Sequence, residues 1–340
     1  MIADYKPRSS TNRTVLKDVI PLNTPFVVGV FVGDLCNFKC KYCIQSSDKT
    51  NPVRKYLHEE FLNLTSFTLI AKGLSQFPKK LKTLMFSSMG EPTLNPQLPD
   101  MVSLANKLDL SETYEVVTNG STLTSEYVTH LIDAGINRIC ISLQGITEQK
   151  YLDVCDYNLD LDEFISNIRF LYEYSRGKCQ IHIKTLAECL DEKEEAIFFN
   201  LFGDLCDTIH IDQVIKMNNG VDYSGFADEK RHLFGFDVGE IQICSPIYYT
   251  IHILTNGDVV PCCNPPYPVV FGNAMQTSVP EIWTSKKRKQ FLISHLKKKK
   301  NVCKICSQCE NIGIQAFRED ILDGYEDDLI QRIELDRLTY

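Results

Sequence analysis

Short apolar runs that alternate with stretches of helical spacing constrain the fold of this chain more than any other feature. The apolar runs have the composition of buried strands and occupy residues 26–33, 83–88, 114–120, 138–143, 180–186 and 208–214. Helical spacing lies between them, at 57–76, 97–108, 124–135, 161–175 and 191–202. This alternation predicts a parallel sheet with crossover helices. Because such crossovers are right-handed, the strands form an open curved sheet or a partial barrel.

The alternation stops near residue 216, where a loop-rich region begins. We therefore expect a core domain over residues 1–220 and a smaller domain over 221–340. Ligands of parallel α/β sheets bind at the carboxyl ends of the strands. The first group of cysteines and three polar loops all follow strands directly, so we expect them to meet at one rim of the sheet.

Cysteine content indicates the chemistry. The chain has 14 cysteines in 340 residues, and its first residues lack the apolar core of an export signal, so metal binding is expected rather than a disulfide framework. The net charge of −8 argues against nucleic acid, and no apolar run is long enough to span a membrane. We expect a cytoplasmic protein. Five scattered cysteines are expected to be small buried hydrophobic residues: Cys140, Cys155, Cys179, Cys189 and Cys206.

Cys36, Cys40 and Cys43 form a CxxxCxxC group directly after the first strand. Three thiolates on one loop can hold one face of an iron–sulfur cluster and leave one iron without a protein ligand. Zinc is the competitor, but structural zinc sites usually have four ligands, and the nearest histidine, His58, lies 15 residues further on.

This group resembles the cluster motif of the radical S-adenosylmethionine (SAM) superfamily. The resemblance implies that the three cysteines hold a 4Fe–4S cluster whose open iron is chelated by SAM. It also implies reductive cleavage of SAM to a 5′-deoxyadenosyl radical that abstracts a hydrogen atom from a substrate. The aromatic residue before the last cysteine, Tyr42, matches the family position near the adenine.

The loop after the second strand resembles the GGE-type loop of the same family, which binds the SAM ammonium group. Its matching residues are Gly90, Glu91 and Pro92, with Met89 at the position of a usual glycine. The alternative is that Glu91 only caps the helix that follows.

Two further loops resemble SAM-binding segments of the family. Asn119 lies in VTNGSTLT and contacts SAM or substrate, or else forms only a turn with Gly120. Ser142 and Gln144 lie in CISLQG, which is similar to the segment after the fourth strand near the SAM ribose or carboxylate; the alternative is an ordinary strand end.

The C-terminal cysteines resemble the SPASM/twitch extension of radical SAM enzymes. Cys244 and Cys262 flank Gly257, and Cys303 and Cys306 form a CxxC pair, which implies an auxiliary 4Fe–4S cluster. The full SPASM form has two more cysteines after this pair, so the shorter twitch form fits better. Cys309 is the alternate last ligand. A zinc site and a purely structural cluster remain alternatives.

Polar residues on the last two strands are the candidates for catalysis. His182 and Lys184 alternate with apolar residues on one strand, and His210 and Asp212 do so on the next, so each pair shares a face. If that face lines the barrel, these residues contact the substrate; otherwise they form an outer polar surface. Only 35 residues precede Cys36, which favours a small molecule over a peptide that needs a leader-binding domain.

These features together predict an α/β fold, a partial (β/α)6 TIM-like barrel with a small auxiliary-cluster domain. The closest architectural likeness is to the twitch-type dehydrogenases of aminocyclitol antibiotic synthesis, which implies oxidation of an alcohol or sugar with the auxiliary cluster as electron acceptor. A peptide maturase, or an epimerase with a pocket-facing cysteine, is the enzymatic alternative. A non-catalytic iron–sulfur electron carrier or sensor is the alternative outside the enzymes. The basic runs 286–289 and 297–300 are either solvated helix faces or a docking surface for flavodoxin, ferredoxin or a phosphorylated substrate.

Overall fold

The computed structural model describes residues 3–8, 10–87, 89–217, 221–226, 232–237, 239–309 and 311–336. The boundary expected near residue 220 lies outside these ranges. Within them the strands are β1 Asp4–Tyr5, β2 Val27–Phe31, β3 Leu81–Ser87, β4 Ser111–Thr118, β5 Arg138–Ser142, β6 Gln180–Leu186, β7 Thr208–Asp212, β8 Thr250–Ile253, β9 Asp258–Val260 and β10 Gly272–Asn273.

All these strands belong to one sheet in the order β1-β7-β6-β5-β4-β3-β2-β8-β9-β10. Every pairing from β1 through β8 is parallel, while β8, β9 and β10 pair antiparallel. Strands β2 to β7 coincide with the six predicted strands, and the unclosed barrel that they form confirms the expected fold class.

Twelve α-helices lie within the described residues. They are α1 Leu16–Val19, α2 Leu64–Leu74, α3 Leu98–Lys107, α4 Ser125–Asp133, α5 Glu148–Cys155, α6 Leu161–Ser175, α7 Glu194–Phe202, α8 Pro246–Tyr249, α9 Val279–Trp283, α10 Lys286–Lys298, α11 Lys304–Ser307 and α12 Glu326–Leu335. Side-chain caps fix several starts: Asn63 begins α2, Thr124 begins α4 and Asp160 begins α6, each by accepting a hydrogen bond from a backbone N–H of the first turn.

The two faces of the sheet differ in chemistry. On β5 and β6, Ile139, Ile141, Ile181 and Ile183 are fully buried in the main hydrophobic core. Because side chains alternate along a strand, the residues between them point to the opposite, inner face of the curved sheet. The sheet therefore buries apolar residues under its helices and directs its polar residues into the barrel.

The C-terminal third continues this sheet. Strand β8 pairs with β2, and α12 packs on α10 through a core that includes Leu292, Leu329 and Ile333. The Trp283 indole N–H donates to the Leu22 carbonyl oxygen at 2.7 Å. The acidic tail thus forms helix α12, which closes the C-terminal core.

The structure differs from the predicted elements in three places. The helix expected at 57–76 begins only at Leu64, because Asn63 caps it and residues 52–56 form a separate 3-10 turn. Strand β1 lies before the first predicted strand and pairs with β7. Helix α5 lacks a counterpart in the predicted pattern. None of the helices in the described ranges is both long and apolar enough to cross a membrane.

Candidate functional site

The first cysteine group lies on the loop that follows β2. Backbone hydrogen bonds attach this loop to the end of α5: the Lys39 N–H donates to Cys155 O at 2.8 Å and the Lys41 N–H donates to Val154 O at 2.9 Å. The Phe38 N–H points at the Cys36 sulfur, 3.4 Å away. All three thiols are half-buried, which leaves one side of the loop open to a ligand.

The environment of these thiols fits an iron–sulfur cluster. Burial raises the pKa of Cys36 to about 12 and that of Cys43 to about 11, so both thiols stay protonated unless a metal stabilises the thiolate. A backbone N–H aimed at a cysteine sulfur is also a common feature of such sites. In the described part of the chain, no three Cys, His, Asp or Glu side chains converge to bind a single ion. A cluster does not need that convergence, since each cysteine binds a different iron.

The loop after β3 crosses directly over the cysteine loop. The Glu91 N–H donates to Leu35 O at 2.8 Å, and a Cβ on Gly90 would lie 2.0 Å from that same oxygen. The Gln45 side-chain amide donates to Asp34 O and to Met89 O, at 2.8 and 2.7 Å. Only glycine at position 90 permits this approach, so the two loops form one rigid unit.

Glu91 joins this unit to β4. Its buried carboxylate accepts hydrogen bonds from the Thr93 N–H and hydroxyl, from the Thr118 hydroxyl and from the Asn119 N–H, at 2.6–3.0 Å. Burial raises its pKa, and these bonds oppose that rise. The bond to Thr93 caps the short 3-10 turn Pro92–Leu94, and not the following helix α3, whose N-cap is Gln97. Contact of this loop with SAM stays a prediction.

Asn119 connects the end of β4 back to the cysteine loop. Its side-chain amide donates to the Asn37 side-chain oxygen at 3.0 Å, and Asn37 in turn donates to the Ser121 hydroxyl at 2.8 Å. Sequence reasoning missed Asn37 and Gln45, although both lie within or beside the CxxxCxxC segment. The signal was there: polar amides in a loop whose backbone must be held without regular structure.

The remaining candidate SAM contacts lie near the same rim. Tyr42 packs its ring against Phe226 with 5.5 Å between centroids, and burial raises the pKa of its hydroxyl. Ser142 ends β5 and is paired in register with Lys184. Gln144 is buried, and its side-chain oxygen accepts no hydrogen bond from the described residues. The Gln144 side chain also lies within hydrogen-bonding reach of the Tyr42 hydroxyl, and its contact with SAM stays a prediction.

Inside the barrel, three of the four catalytic candidates form one network. Lys184 Nζ lies 2.8 Å from Asp212 Oδ2, and His210 Nδ1 lies 2.8 Å from Asp212 Oδ1. Although burial opposes ionisation, these two partners hold the pKa of Asp212 well below its usual range. The Tyr5 ring stacks on His210 at 5.0 Å. The polar face of these strands is thus the inner one.

His182 lies on the same face but closer to the start of the strands. Its Nδ1 is 2.7 Å from the Thr208 hydroxyl, and burial lowers its pKa to about 3, so the ring is neutral. Its neighbour in register, Cys140, is fully buried on the inner face, where burial raises the thiol pKa to about 11. Cys140 is therefore a protonated thiol on the inner face of the sheet, with no exposed surface in this structure.

The C-terminal cysteines surround the β8–β9 hairpin. Cys244 precedes α8, Cys262 follows β9, and Cys303 and Cys306 bracket the start of α11. Burial and the nearby thiols, Cys244 and Cys306 among them, raise the pKa of Cys262. Gly257 has a φ of +85° and closes the hairpin, and a Cβ there would lie 2.7 Å from the Asn273 side chain.

The donors around these sulfurs fit a cluster as well. The Cys306 N–H points at the Cys303 sulfur, and the Asn311 N–H points at the Cys309 sulfur, each at 3.4 Å. Cys309 therefore has the same kind of sulfur environment as Cys303. The choice between Cys306 and Cys309 as the last ligand stays open, and Cys263 lies in the same thiol group.

Two protein-family models match the chain. Residues 30–197 match the radical SAM superfamily, and residues 244–310 match SPASM, an iron–sulfur cluster-binding domain. The first range contains the CxxxCxxC loop and strands β3 to β6. The second contains all six C-terminal cysteines.

Curated relatives are similar to part of the chain. The GTP 3′,8-cyclase of Nostoc sp. is 33% identical over 116 residues, and that of Staphylococcus haemolyticus is 28% identical over 142 residues. These matches span only 33% and 40% of the relatives' length, and 33% and 42% of this chain.

Three solved structures share the fold at low sequence identity. Streptococcus suis SuiB bound to S-adenosylmethionine has a TM-score of 0.63 and 15% identity, and covers 88% of this chain and 73% of its own. BtrN in complex with AdoMet and 2-DOIA has a TM-score of 0.56 and 16% identity, and the match covers 86% of this chain and 95% of BtrN. Native anSMEcpe with bound AdoMet has a TM-score of 0.55 and 15% identity, over 92% and 100%.

Proposed function

This chain belongs to the radical SAM superfamily and carries a SPASM iron–sulfur domain, and from that premise we propose that it oxidises a small alcohol- or sugar-type substrate. Cys36, Cys40 and Cys43 would hold the SAM-binding 4Fe–4S cluster. Cys244, Cys262, Cys303 and either Cys306 or Cys309 would hold the auxiliary 4Fe–4S cluster. When bound, these groups supply a hydrogen-atom acceptor and an electron acceptor.

The observation that supports this proposal is the Lys184–Asp212–His210 network on the inner face of the barrel. A carbinol that becomes a ketone loses one hydrogen atom, one proton and one electron. The bound groups would take the hydrogen atom and the electron, so a side chain of the protein is needed to accept the proton. Asp212 is ionised and holds His210 by its Nδ1, an arrangement that positions an imidazole to accept that proton.

Lys184 completes the proposed substrate contact. Its ammonium group lies 2.8 Å from the Asp212 carboxylate and is half-buried, so it can donate a hydrogen bond to the substrate oxygen as the carbonyl forms. Similar folds hold different ligands: the BtrN structure contains 2-DOIA, and a SuiB structure contains the precursor peptide SuiA. The fold alone therefore does not select a substrate, and the inner-face residues carry the proposal.

Anaerobic turnover tests this function. The protein, reconstituted with iron and sulfide, would receive SAM, dithionite and deuterated polyols or amino sugars, and deuterium transfer into 5′-deoxyadenosine would be followed together with ketone formation. Asp212→Asn should lower ketone formation by about 100-fold or more, because the imidazole loses its orienting carboxylate. Lys72→Gln, on the exposed side of α2, should leave the rate unchanged. Ketone formation at the wild-type rate in Asp212→Asn would refute the proposed roles.

A redox-neutral epimerisation is the second candidate, and Cys140 is the residue that favours it. A protonated thiol on the inner face can return a hydrogen atom to a substrate radical. In D2O such an enzyme places solvent deuterium at the substrate carbon, whereas an oxidase gives a ketone. Cys140→Ala should then stop deuterium incorporation but still release 5′-deoxyadenosine. A carrier or sensor would do neither and would bind no SAM.

We propose an acidic flavodoxin- or ferredoxin-type protein as redox partner, acting at a lysine patch formed by Lys297, Lys298, Lys299, Lys300 and Lys304. The patch adjoins Cys303 and Cys306. The positive charge of the patch is only partly compensated. Lys297 lies 3.8 Å from Glu334 and Lys299 lies 3.3 Å from Glu326, and both lysines are about half exposed. In a chain of net charge −8, such a local excess of positive charge suits an acidic partner. The other basic run differs, because Arg288 is buried against Trp283. We propose a cytoplasmic location, because a reducing compartment keeps cysteine thiols available as cluster ligands.

Reduction kinetics test this patch. Lys298→Glu with Lys304→Glu should slow electron exchange with reduced flavodoxin about tenfold and flatten its salt dependence, because rim charges act mainly on association. Exchange with dithionite should not change. Lys72→Glu with Lys107→Glu, on α2 and α3, is the matched control for charge. Equal slowing in both double variants would assign the effect to net charge and contradict the patch.

A further inference from the structure

A cavity lies at the end of the barrel opposite to the cysteine loop. Its volume is about 360 Å³, and it is lined by residues at or beside the strand starts, among them Val27, Thr83, Arg138 and Thr208. Residues 6–8 and 10–14 form its outer wall. The cysteine loop, by contrast, follows the carboxyl end of β2, so this cavity is not part of the cluster site.

The lining of this cavity is cationic. Arg8 and Arg138 share a single carboxylate, Glu115, at 2.6 and 3.0 Å. Glu115 is nearly inaccessible, with 3% of its side chain exposed, while 30% of Arg8 and 24% of Arg138 remain exposed. The two guanidinium groups therefore keep N–H donors on the cavity side and carry one more positive charge than Glu115 compensates.

Further cations line the same cavity. Lys6 and Lys82 both contribute to its wall, and Lys82 Nζ lies 2.6 Å from the Thr14 hydroxyl and 3.8 Å from the centre of the Phe26 ring. Partial burial lowers the pKa of Lys82, although the residue remains exposed to solvent. Two other lining cations have acidic partners, since Lys6 lies 3.1 Å from Asp4 and Arg13 pairs with Asp320, while Glu112 lines the cavity without an ion pair to Lys82 within the described residues. The surplus of positive charge therefore lies at Arg8, Arg138 and Lys82.

The floor carries a buried polar atom without a partner. His182 lines the cavity with only 2% of its surface exposed, and its Nε2 forms no hydrogen bond within the described ranges. Its Nδ1 is occupied by the Thr208 hydroxyl. A buried nitrogen normally has a partner, so a ligand in the cavity would complete its hydrogen bonding.

We propose that this cavity is a binding site for a small organic phosphate, with the phosphate group held by Arg8 and Arg138 and bonded by His182. Two forked guanidinium groups match the oxygens of a phosphate, and their joint surplus of charge suits a dianion. The cavity is larger than a phosphate ion, so it also accommodates an organic portion. The site is independent of the alcohol oxidation proposed above and lies at the other end of the barrel.

Calorimetric titration of the reconstituted protein tests this site, without SAM or substrate. The probes are inorganic phosphate, glycerol 3-phosphate and, as a carboxylate arm, acetate, all at constant ionic strength in chloride. Phosphate and glycerol 3-phosphate should bind with a single stoichiometric site, and acetate at least tenfold more weakly. Arg138→Gln should weaken phosphate binding tenfold or more. Lys72→Gln removes the same charge from α2 and should leave binding unchanged.

Two further measurements keep the test decisive. Lys6→Gln is the second variant, to be used if Arg138→Gln fails to fold. It changes a partly exposed wall residue with little risk to the fold, and it should weaken phosphate binding about threefold. The visible absorption of the clusters should stay constant through each titration, which separates this site from the cluster sites. Equal weakening in Lys72→Gln, or absence of phosphate binding at millimolar concentration, would overturn the site. Acetate binding as tightly as phosphate would exclude phosphate recognition.

Discussion

Gly90 is the residue on which the cysteine loop depends most closely. A Cβ at this position would lie 2.0 Å from Leu35 O and 2.8 Å from the Asp34 carbonyl carbon, and both atoms are backbone. Because backbone cannot rotate away, Gly90→Ala should separate the two loops and destabilise the fold by about 1–3 kcal/mol. Iron content and SAM binding at the first cluster should fall accordingly, as measured by iron analysis and equilibrium dialysis.

Gly177→Ala is the control for this prediction. Gly177 has a φ of +71° and nothing within 4 Å of a built Cβ, so alanine there costs about 1–2 kcal/mol of backbone strain alone. Its iron content and SAM affinity should equal those of the wild type. If both variants lost the first cluster equally, global destabilisation and not the loop contact would be the cause.

At the residue scale, the sequence predicts which thiols bind the first cluster but not what holds them in place. Spacing alone predicts Cys36, Cys40 and Cys43, because the ligands of one cluster can lie on one loop. Two of the four hydrogen bonds of Glu91, those from Thr118 and Asn119, depend on β3 and β4 lying side by side, and the bond from Asn119 spans 28 positions. The network of Lys184 and Asp212 likewise required the register of β6 against β7.

At the scale of elements, β8 joins the auxiliary region to the barrel. It adds a parallel strand to β2, with Val27 paired to Thr250. The Trp283–Leu22 hydrogen bond also connects the C-terminal third to the segment before β2. We therefore expect one cooperative unfolding transition. In urea, the fluorescence of Trp283, the only tryptophan, should change at the same midpoint as far-UV circular dichroism. Two separated midpoints would show that the expected domains unfold independently.

Alternation predicted the elements of the barrel well because each strand and helix carries its own period. It failed where the structure depends on distant partners. Strand β8 follows its partner β2 by more than 200 positions, and β1 is only two residues long. The start of α2 shows a different limit: its apolar spacing extends upstream to residue 57, but the Asn63 cap decides where the helix begins.

At the scale of the whole molecule, the main feature is a sheet whose inner face is polar and whose face under the helices is apolar. Apolar side chains face the helices. The barrel interior holds charged, thiol and imidazole side chains, with the cysteine loop at one end and the cationic cavity at the other. Burial of this many titratable groups links folding to pH. The histidines are the simplest example, because burial keeps several of them neutral.

Three buried histidines should make the fold sensitive to acid. Burial lowers the pKa of His182 to about 3 and those of His252 and His295 to about 4, from the usual 6.5. Between pH 6.5 and about 4 the unfolded chain binds these protons and the folded chain does not, so stability falls as pH falls. Each histidine contributes up to about 1.4 kcal/mol per pH unit to the free energy of unfolding.

Comparison of variants isolates this histidine contribution. Asp34 and Glu91, whose pKa values burial raises, act in the opposite direction within the same window, so the total slope alone does not count histidines. His295→Gln should lower the slope of the unfolding free energy against pH by about 1.4 kcal/mol per unit between pH 6 and 4.5, as measured by urea titration. His130→Gln, at an exposed position of α4, should leave the slope unchanged. An identical slope in wild type and His295→Gln would mean that His295 is protonated in the folded protein, and that the barrel and its closing helices admit water where the structure buries this ring.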